Sequence, residues 1–286
     1  MMSKRIFVAG ATGQIGSFVV QMLKEKKADL VAGVSSADTV IASVPTVVYD
    51  FANHASMVNA MRGCDVAFLI APFVPQMKDW LISAVEAAKK AGVEYVVRSS
   101  GIGADAESSV AMAKVHGEID RAIMQSGMAY AIVRPMTFMQ NFATYLQNSI
   151  KSQNVFYQPQ GDGKTSFVHV RDVAAVAVEL LLNQDRHQGK AYNVTGGEAL
   201  SNAEVAEIIS SVTGKKITYV DVPDDAAEKS MRDMGMPEVL IDQTMSLNRI
   251  TRAGYAAIIA TTVKEITGKE PITFRQFAKD NAIVWK

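Results

Sequence analysis

A glycine-rich segment near the start of the chain, IFVAGATGQIG at residues 6–16, constrains the fold more than any other part of the sequence. An apolar run ends there in three glycines spaced three apart, and apolar residues then recur at helical spacing as far as Leu23. This order predicts a strand, a tight turn and a helix. Glycines let the backbone pass close to a ligand, and a helix start offers N–H groups and a positive dipole end to a pyrophosphate. We therefore expect a dinucleotide-binding turn; the alternative is a tight strand–helix turn without a ligand.

Strand and helix patterns alternate from this turn to about residue 133, which is typical of a doubly wound, parallel α/β sheet of the Rossmann type. Further strands are predicted at residues 30–34, 47–50, 66–70, 95–97 and 130–133. After residue 134 the pattern is less regular. It predicts a helix near residues 138–146, a short strand at 167–170, and a mostly helical region beyond residue 220.

These patterns also suggest a domain division. We expect a dinucleotide-binding Rossmann core at residues 1–150, to which residues 166–196 return. Residues 197–286, together with 151–165, are expected to form a smaller, mostly helical lobe on the substrate side. A capping box from Ser201 to Glu204 predicts a helix start in this lobe, and Gly214 predicts its end.

The charge balance argues against a nucleic acid or an anionic membrane as the main partner. The chain has 286 residues, with 29 Lys plus Arg and 29 Asp plus Glu, and no cluster of five or six like charges. Its four histidines lack ligand spacing, so no metal site is expected. The single Cys64 is typical of a protein in a reducing compartment, and the position of the first predicted strand argues against a signal peptide. No apolar run approaches the length of about 20 residues that a membrane-spanning helix needs. These features indicate a cytoplasmic protein with a small-molecule partner and leave a homo-oligomer open.

Five segments, in order along the chain, resemble the NmrA-like family of atypical short-chain dehydrogenases and reductases. They are GATGQIG at residues 10–16, VRPMTFMQNF at 133–142, HVRDVA at 169–174, YNVTG at 192–196 and FRQFAKDNA at 274–282. The resemblance covers nearly the whole chain and implies a Rossmann fold with a nicotinamide cofactor. Members with known activity include NADPH-dependent quinone reductases and a triphenylmethane dye reductase. Other members are redox-sensing regulators that bind the dinucleotide and turn nothing over.

The end of the second strand bears on the choice of cofactor. NAD-preferring Rossmann sites place an Asp or Glu about 20 residues past the glycines, where it accepts from the ribose 2′-hydroxyl. Here Ser35 and Ser36 stand at that end, with no carboxylate to repel a 2′-phosphate. The family's NADP-using reductases commonly have an Arg at the position of Ser35, which this chain lacks. The two hydroxyls can donate to a phosphate, so we expect NADP(H) to be preferred over NAD(H); simple solvation of the loop is the alternative.

The expected cofactor contacts follow the ends of successive strands. The turn and the second strand supply Gly10, Thr12, Gly13, Gln14, Ile15, Gly16, Ser35 and Ser36. The resemblance adds Asp50 and Phe51 beside the adenine, Ala71 and Pro72 beside the nicotinamide ribose and diphosphate, and Ser99 near the nicotinamide.

The helix expected at residues 109–126 lacks the Tyr and Lys that short-chain dehydrogenases carry four residues apart, the Tyr as the acid and the Lys as its partner. Aligning Asp120 with the acidic residue of this helix places Met112 at the Tyr position and His116 at the Lys position. This departure argues against the Tyr–Lys mechanism. His116 is the first catalytic candidate, as a proton source or ribose contact, because an imidazole titrates near neutrality; packing near the cofactor is its alternative. Ser100 is the second, with a hydrogen-bonded turn as its alternative.

Two functions are consistent with this sequence. The first is an NAD(P)H-dependent oxidoreductase that transfers hydride to a small hydrophobic, quinone-like or conjugated acceptor, which needs no obligatory proton donor on the protein. The alternative is a non-enzymatic, NADP(H)-sensing regulatory protein. A sugar-nucleotide epimerase is disfavoured because that chemistry relies on the missing Tyr and Lys. The candidates for the substrate pocket are Phe73, Phe138 and Phe142, for which core packing is the alternative.

Overall fold

The computed structural model of the chain describes residues 4–286. Its strands are β1 (Ile6–Val8), β2 (Leu30–Val34), β3 (Thr46–Val48), β4 (Val66–Leu69), β5 (Tyr95–Ser99), β6 (Ala129–Pro135), β7 (Val155–Gln158), β8 (Lys164–Thr165), β9 (Lys190–Val194), β10 (Leu200–Ser201) and β11 (Thr218–Asp221). Its helices are α1 (Gly16–Glu25), α2 (His54–Met61), α3 (Met77–Ala91), α4 (Ala111–Gln125), α5 (Gln147–Gln153), α6 (Val170–Leu182), α7 (Gln184–His187), α8 (Asn202–Thr213), α9 (Asp224–Asp233), α10 (Glu238–Arg252), α11 (Thr262–Thr267) and α12 (Phe274–Trp285). A 3-10 helix, Met139–Ala143, precedes α5.

Seven strands form one sheet in the order β3-β2-β1-β4-β5-β6-β9. The ladders from β3 through to β6 are all parallel. Strands β1, β2, β4 and β5 are buried along their whole length, as expected for parallel strands that helices cover on both faces. The strand order reverses between β1 and β4, the point at which doubly wound sheets bind their ligands. The expected Rossmann-type sheet is confirmed.

Short-range signals set the ends of several helices. The Asn53 side chain accepts a hydrogen bond from the Ser56 N–H at 3.1 Å and so begins α2. Both halves of the predicted capping box between Ser201 and Glu204 form at the start of α8, and Gly214 ends that helix with a φ of 73°. These caps satisfy backbone groups that a helix end leaves unpaired.

Two predictions for the chain after β6 are wrong. Residues 167–170 form no strand, because Val168 pairs with Phe138 in a single bridge before α6 begins. Residues 138–146 form no continuous α-helix. The 3-10 helix stops at Thr144, whose φ of −126° and ψ of −84° lie outside the helical region, and α5 starts only after it.

The chain forms two compact units. The first comprises the described residues from 4 to 109, with Ala113–Arg134 and Val173–Asn193; the second comprises Val110–Met112, Pro135–Asp172 and Val194–Lys286. Residues 135–150 thus group with the C-terminal helices, although the sequence patterns placed them in the sheet domain. No helix within residues 4–286 has the length and apolar character needed to cross a membrane.

An aromatic cluster explains why the segment after β6 belongs to the second unit. The Phe142 ring lies edge-on to the rings of Phe156, Phe167 and Phe274, with centroids 5.4, 5.3 and 5.2 Å away. The Trp285 indole N–H also donates to the Phe142 carbonyl at 2.8 Å. Edge-to-face aromatic pairs add to the free energy of area burial. Phe142 is therefore a core residue of the second unit, with only 3% of its surface exposed.

Replacing Phe142 by Ala should lower the free energy of unfolding by about 3–5 kcal/mol, because a large buried ring is lost and a cavity remains. Urea denaturation of the wild-type and variant proteins measures this. Tyr145→Ala is the control, since Tyr145 is 77% exposed and its loss should change stability by less than about 0.5 kcal/mol. Equal effects of the two substitutions would contradict the assignment of Phe142 to the core.

Candidate cofactor and acceptor site

The glycine-rich turn after β1 is built by close backbone contacts. Gly10 has a φ of +58°, and the Gly13 N–H donates to the Gly10 carbonyl at 2.9 Å. A Cβ on Gly16 would lie 2.0 Å from that same carbonyl oxygen. A side chain at residue 16 therefore cannot be accommodated unless the turn moves. Glycine at this position lets the start of α1 lie directly against the backbone of the turn after β1.

The start of α1 fits a pyrophosphate. Ile15 at the N-cap position makes no side-chain capping bond, and the first turn of α1 has no acidic residue. Thr12, Gly13 and Gln14 are exposed beside it, while Ile15 and Gly16 are buried. Backbone N–H groups at a helix start and the positive end of the helix dipole attract an anion. The turn thus supplies what the diphosphate of a dinucleotide requires.

The end of β2 presents two exposed serines. The Ser36 hydroxyl accepts from the Asp38 N–H at 3.2 Å in a local turn. The Ser35 hydroxyl makes no hydrogen bond to any residue in the range 4–286 and can donate to a ligand. The Ala11 N–H donates to the Gly33 carbonyl at 3.3 Å, which holds the glycine-rich turn against β2.

The residues after β3 form a short turn with an aromatic surface. The exposed Asp50 accepts from the Ala52 N–H at 2.9 Å, so its carboxylate is partly used within its own turn. The half-buried Phe51 stacks on Trp80 of α3, with ring centroids 5.5 Å apart and planes at 15°. Sequence reasoning missed Trp80, because its position on α3 is 29 residues from Phe51 in the chain. The pair offers a flat apolar surface where an adenine is expected.

The end of β4 contacts the glycine-rich turn. A Cβ placed on Gly10 would lie 3.2 Å from the Ile70 side chain. Ala71 is half-buried, Pro72 is exposed, and Phe73 is 40% exposed. These residues follow β4 at the switch point of the sheet, where the nicotinamide half of a dinucleotide is expected.

A buried ionic cluster lies at the ends of β5 and β6. Asp120 of α4 accepts hydrogen bonds from the guanidinium groups of Arg98 and Arg134, with distances from Arg134 of 3.0 and 3.2 Å. The Ser100 hydroxyl also donates to Asp120, at 3.0 Å. Both Arg98 and Asp120 are fully buried, whereas the Arg134 side chain is 23% exposed. We call these four residues the Asp120 cluster.

His116 is held in one protonation state by this cluster. Its Nδ1 lies 2.8 Å from Nη2 of Arg98, and a guanidinium can only donate, so Nδ1 is the acceptor and the proton is on Nε2. Burial and then the positive charges of Arg98 and Arg134 lower the pKa of His116 to about 3. The imidazole is therefore neutral at neutral pH. It can donate one hydrogen bond from Nε2, but it does not release a proton as an imidazolium would.

The two catalytic candidates, His116 and Ser100, both lie at the Asp120 cluster, and their hydrogen bonds limit what each can do chemically. The Ser100 hydroxyl donates a hydrogen bond to Asp120, and Ser99 is buried beside it at the end of β5. A Cβ on Gly101 would lie 2.9 Å from His116, so this glycine leaves the space that the imidazole occupies. Sequence reasoning overlooked Arg98 and Arg134; the signal for Arg98 was a charged residue inside an otherwise apolar strand.

The three aromatic substrate candidates differ in their placement. Phe73 follows β4 in the first unit and is exposed, and Phe138 is half-buried in the second unit. Phe142 lies in the aromatic core of the second unit, which favours packing over substrate contact. Among residues 4–286, no group of three or more His, Cys, Asp or Glu side chains could hold a metal ion.

Comparison with known proteins identifies the family. The NmrA-like family matches residues 2–277 of this sequence. The chain belongs to the NmrA-like family. It is 39% identical over 281 residues to an NAD(P)H azoreductase of Xenophilus azovorans, covering 97% of this chain and 98% of that protein. It is also 27% identical over 244 residues to quinone oxidoreductase 2 of Escherichia coli (strain K12), covering 83% and 84% of the two chains.

A solved structure agrees with this NmrA-like assignment at the level of the fold. The NADPH complex of the Escherichia coli NADPH-dependent quinone oxidoreductase superposes with a TM-score of 0.86. The match covers 96% of this chain and 99% of that one, at 24% sequence identity. The expected family and fold are confirmed.

The state of His116 should appear in the pH dependence of stability. Its pKa is about 3 in the folded protein and about 6.5 when unfolded, so the unfolded chain binds the extra proton first as the pH falls. Folding stability from His116 is thus complete well above about pH 6.5, and about 2 kcal/mol of it is lost by about pH 5.

Urea denaturation of the wild-type protein and His116→Gln across this range measures the effect. Other titrating groups, His169 among them, are common to both proteins and cancel in the difference. The stability difference between wild type and variant should shrink as the pH falls. A difference that stays constant between about pH 6.5 and about pH 5 would show that His116 titrates normally in the folded state.

Proposed function

We propose that this protein is an NAD(P)H-dependent reductase of small, hydrophobic, conjugated acceptors such as azo compounds and quinones. The observation that carries the proposal is the full-length identity of 39% with an NAD(P)H azoreductase. The quinone oxidoreductase relative extends the acceptor class. The glycine-rich turn supports the cofactor half of the proposal, since Gly16 and the uncapped start of α1 form an anion cradle.

Residues of the first unit would hold the cofactor along the ends of four strands. The glycine-rich turn would bind the diphosphate, the Phe51–Trp80 pair would contact the adenine, and Ala71 and Pro72 would lie beside the nicotinamide ribose. When bound, the reduced nicotinamide supplies a hydride. His116 would donate a hydrogen bond from its neutral Nε2, either to the ribose or to the acceptor, and it would not protonate the product.

This division of roles suits acceptors that do not need a strong acid. A quinone or an azo group accepts a hydride and becomes an anion, which water can protonate afterwards. The buried Ser100 hydroxyl already donates to Asp120, so it contributes to the arrangement of the site rather than to proton transfer. The missing Tyr and Lys are thus compatible with turnover.

The end of β2 supports NADP(H) rather than NAD(H) as the preferred cofactor. Ser35 and Ser36 are exposed there and can donate to a 2′-phosphate, and neither brings a negative charge. NADPH should therefore raise the melting temperature more than NADH at equal concentration. Ser35→Asp is the matched variant, since a carboxylate at this position should reverse the order of the two cofactors. A larger shift with NADH in the wild-type protein would overturn the preference.

Turnover is tested by following NADPH absorbance with a neutral azo dye and with a benzoquinone. We expect oxidation of NADPH with both acceptors, at rates that depend on protein concentration. Gly16→Ala is the control that disrupts the expected diphosphate-binding turn, because the added Cβ would clash with the Gly10 carbonyl. This variant should lose both cofactor binding and turnover. Tight binding of NADPH without oxidation by any acceptor would instead identify a dinucleotide sensor.

A further inference from the structure

The Asp120 cluster contains more positive than negative charge. Burial lowers the pKa of Arg98 to about 10, although Asp120 opposes that change, so its guanidinium remains charged at neutral pH. Arg134 is a second cation on the same carboxylate. Two guanidinium groups and one carboxylate leave one positive charge uncompensated.

Neighbouring charged groups do not remove this excess. Glu118 of α4 pairs with Lys78 of α3 at 3.0 Å, and Glu107 pairs with Arg121 on the protein surface. Both carboxylates therefore have their own partners. His116 is neutral, because burial and then the positive charges of Arg98 and Arg134 lower the pKa of its imidazole, so it adds no charge to the cluster. The two guanidinium groups therefore produce a positive potential at the His116 side chain.

Arg134 brings this charge to an accessible position. It uses Nε and Nη2 to bind Asp120, while Nη1 makes no hydrogen bond within residues 4–286. Its side chain is 23% exposed, in contrast to the fully buried Arg98. Arg134 is the second-last residue of β6, and parallel sheets bind ligands at the carboxyl ends of their strands.

We propose that the uncompensated charge of the Asp120 cluster selects neutral acceptors whose reduced forms are anions, and disfavours cationic acceptors, with Arg134 as the specificity-determining residue. This inference rests on the proposed reductase function and narrows its substrate class to quinones, azo compounds and similar neutral molecules. The same charge would also favour acceptors that already carry a carboxylate or a sulfonate.

The charge balance of the reaction explains the selection. A quinone accepts a hydride, which is one proton with two electrons, from the nicotinamide C–H bond. That bond breaks and leaves the oxidised nicotinamide, while the quinone becomes the hydroquinone monoanion; a proton from water then completes the hydroquinone. An azo group forms one N–H bond and a nitrogen anion, and water again supplies the second proton. A cationic dye gains the same hydride at carbon and becomes neutral. Only the first two reactions develop a negative charge that the cluster can stabilise.

The test compares Arg134→Gln with the wild-type protein, using a neutral benzoquinone and a cationic triphenylmethane dye with NADPH. The ratio of kcat/KM for the quinone to kcat/KM for the cationic dye should fall at least about tenfold in the variant, as expected for the loss of one nearby charge. Arg134→Lys retains the charge and should keep most of the ratio. Arg121→Gln, which removes an exposed arginine from the same helix as Asp120, should leave it unchanged.

Equilibrium binding gives a readout that does not depend on turnover. Calorimetry should show that the wild-type protein binds 2-naphthoate more tightly than the neutral 2-naphthamide, and that Arg134→Gln loses this difference. Equal affinity of the wild-type protein for the two probes would overturn the inference, whether or not the variant folds. An unchanged kcat/KM ratio in a folded Arg134→Gln protein would also overturn it.

The two proposals fail in different ways. If none of the acceptors oxidises NADPH, the reductase function is wrong. The comparison of 2-naphthoate with 2-naphthamide then still decides whether the cluster attracts anions. If quinone and cationic dye are both reduced and Arg134→Gln treats them as the wild type does, the reductase function stands and the charge selection is wrong.

Discussion

The carboxylate of Asp120 is the constraint on which the candidate site depends. It lies on α4 and accepts hydrogen bonds from Arg98 on β5, from Ser100 directly after β5, and from Arg134 on β6. One buried group thus joins the helix to the ends of two strands. Arg98 has no exposed surface, and removing the partner of a buried charge costs about 3–5 kcal/mol. The fold therefore fixes these charges in place before any ligand binds.

Under the proposed function, the residues that would bind the cofactor and those that would select the acceptor lie at different strands of the sheet. The glycine-rich turn after β1 and the residues after β4 lie close together at the switch point, where a Cβ on Gly10 would lie 3.2 Å from the Ile70 side chain. The Asp120 cluster lies at β5 and β6, one and two strands further along the sheet, or about 5 and 10 Å from β4 at the usual strand spacing. A dinucleotide laid across the strand ends would bring its reacting end towards the cluster. Cofactor binding and charge selection would then depend on different residues, so that single substitutions could change one without the other.

Sequence reasoning succeeded where the signal is local and failed where it depends on distant residues. The turn at Gly10–Gly16, the buried strands and the capping box at Ser201 are short-range patterns, and the structure has them as predicted. The hydrogen bonds of Asp120 to Arg98 and Arg134 join residues 22 and 14 positions apart, so no periodic pattern in the sequence predicts them. The apolar spacing after β6 was interpreted as a helix, but tertiary packing around Phe142 took precedence over it.

The cluster also gives a physical reason for an imidazole, rather than an ammonium group, at residue 116. An ammonium at residue 116 would lie beside the Arg98 guanidinium and would add a third cation to a group that has one carboxylate. Imidazole avoids this cost, because it loses its charge and accepts a hydrogen bond at Nδ1 from Arg98. Gly101 leaves room for the opposite edge of the ring. The arginine pair with its one carboxylate leaves a positive charge beside the histidine at neutral pH, because burial lowers the pKa of Arg98 only to about 10.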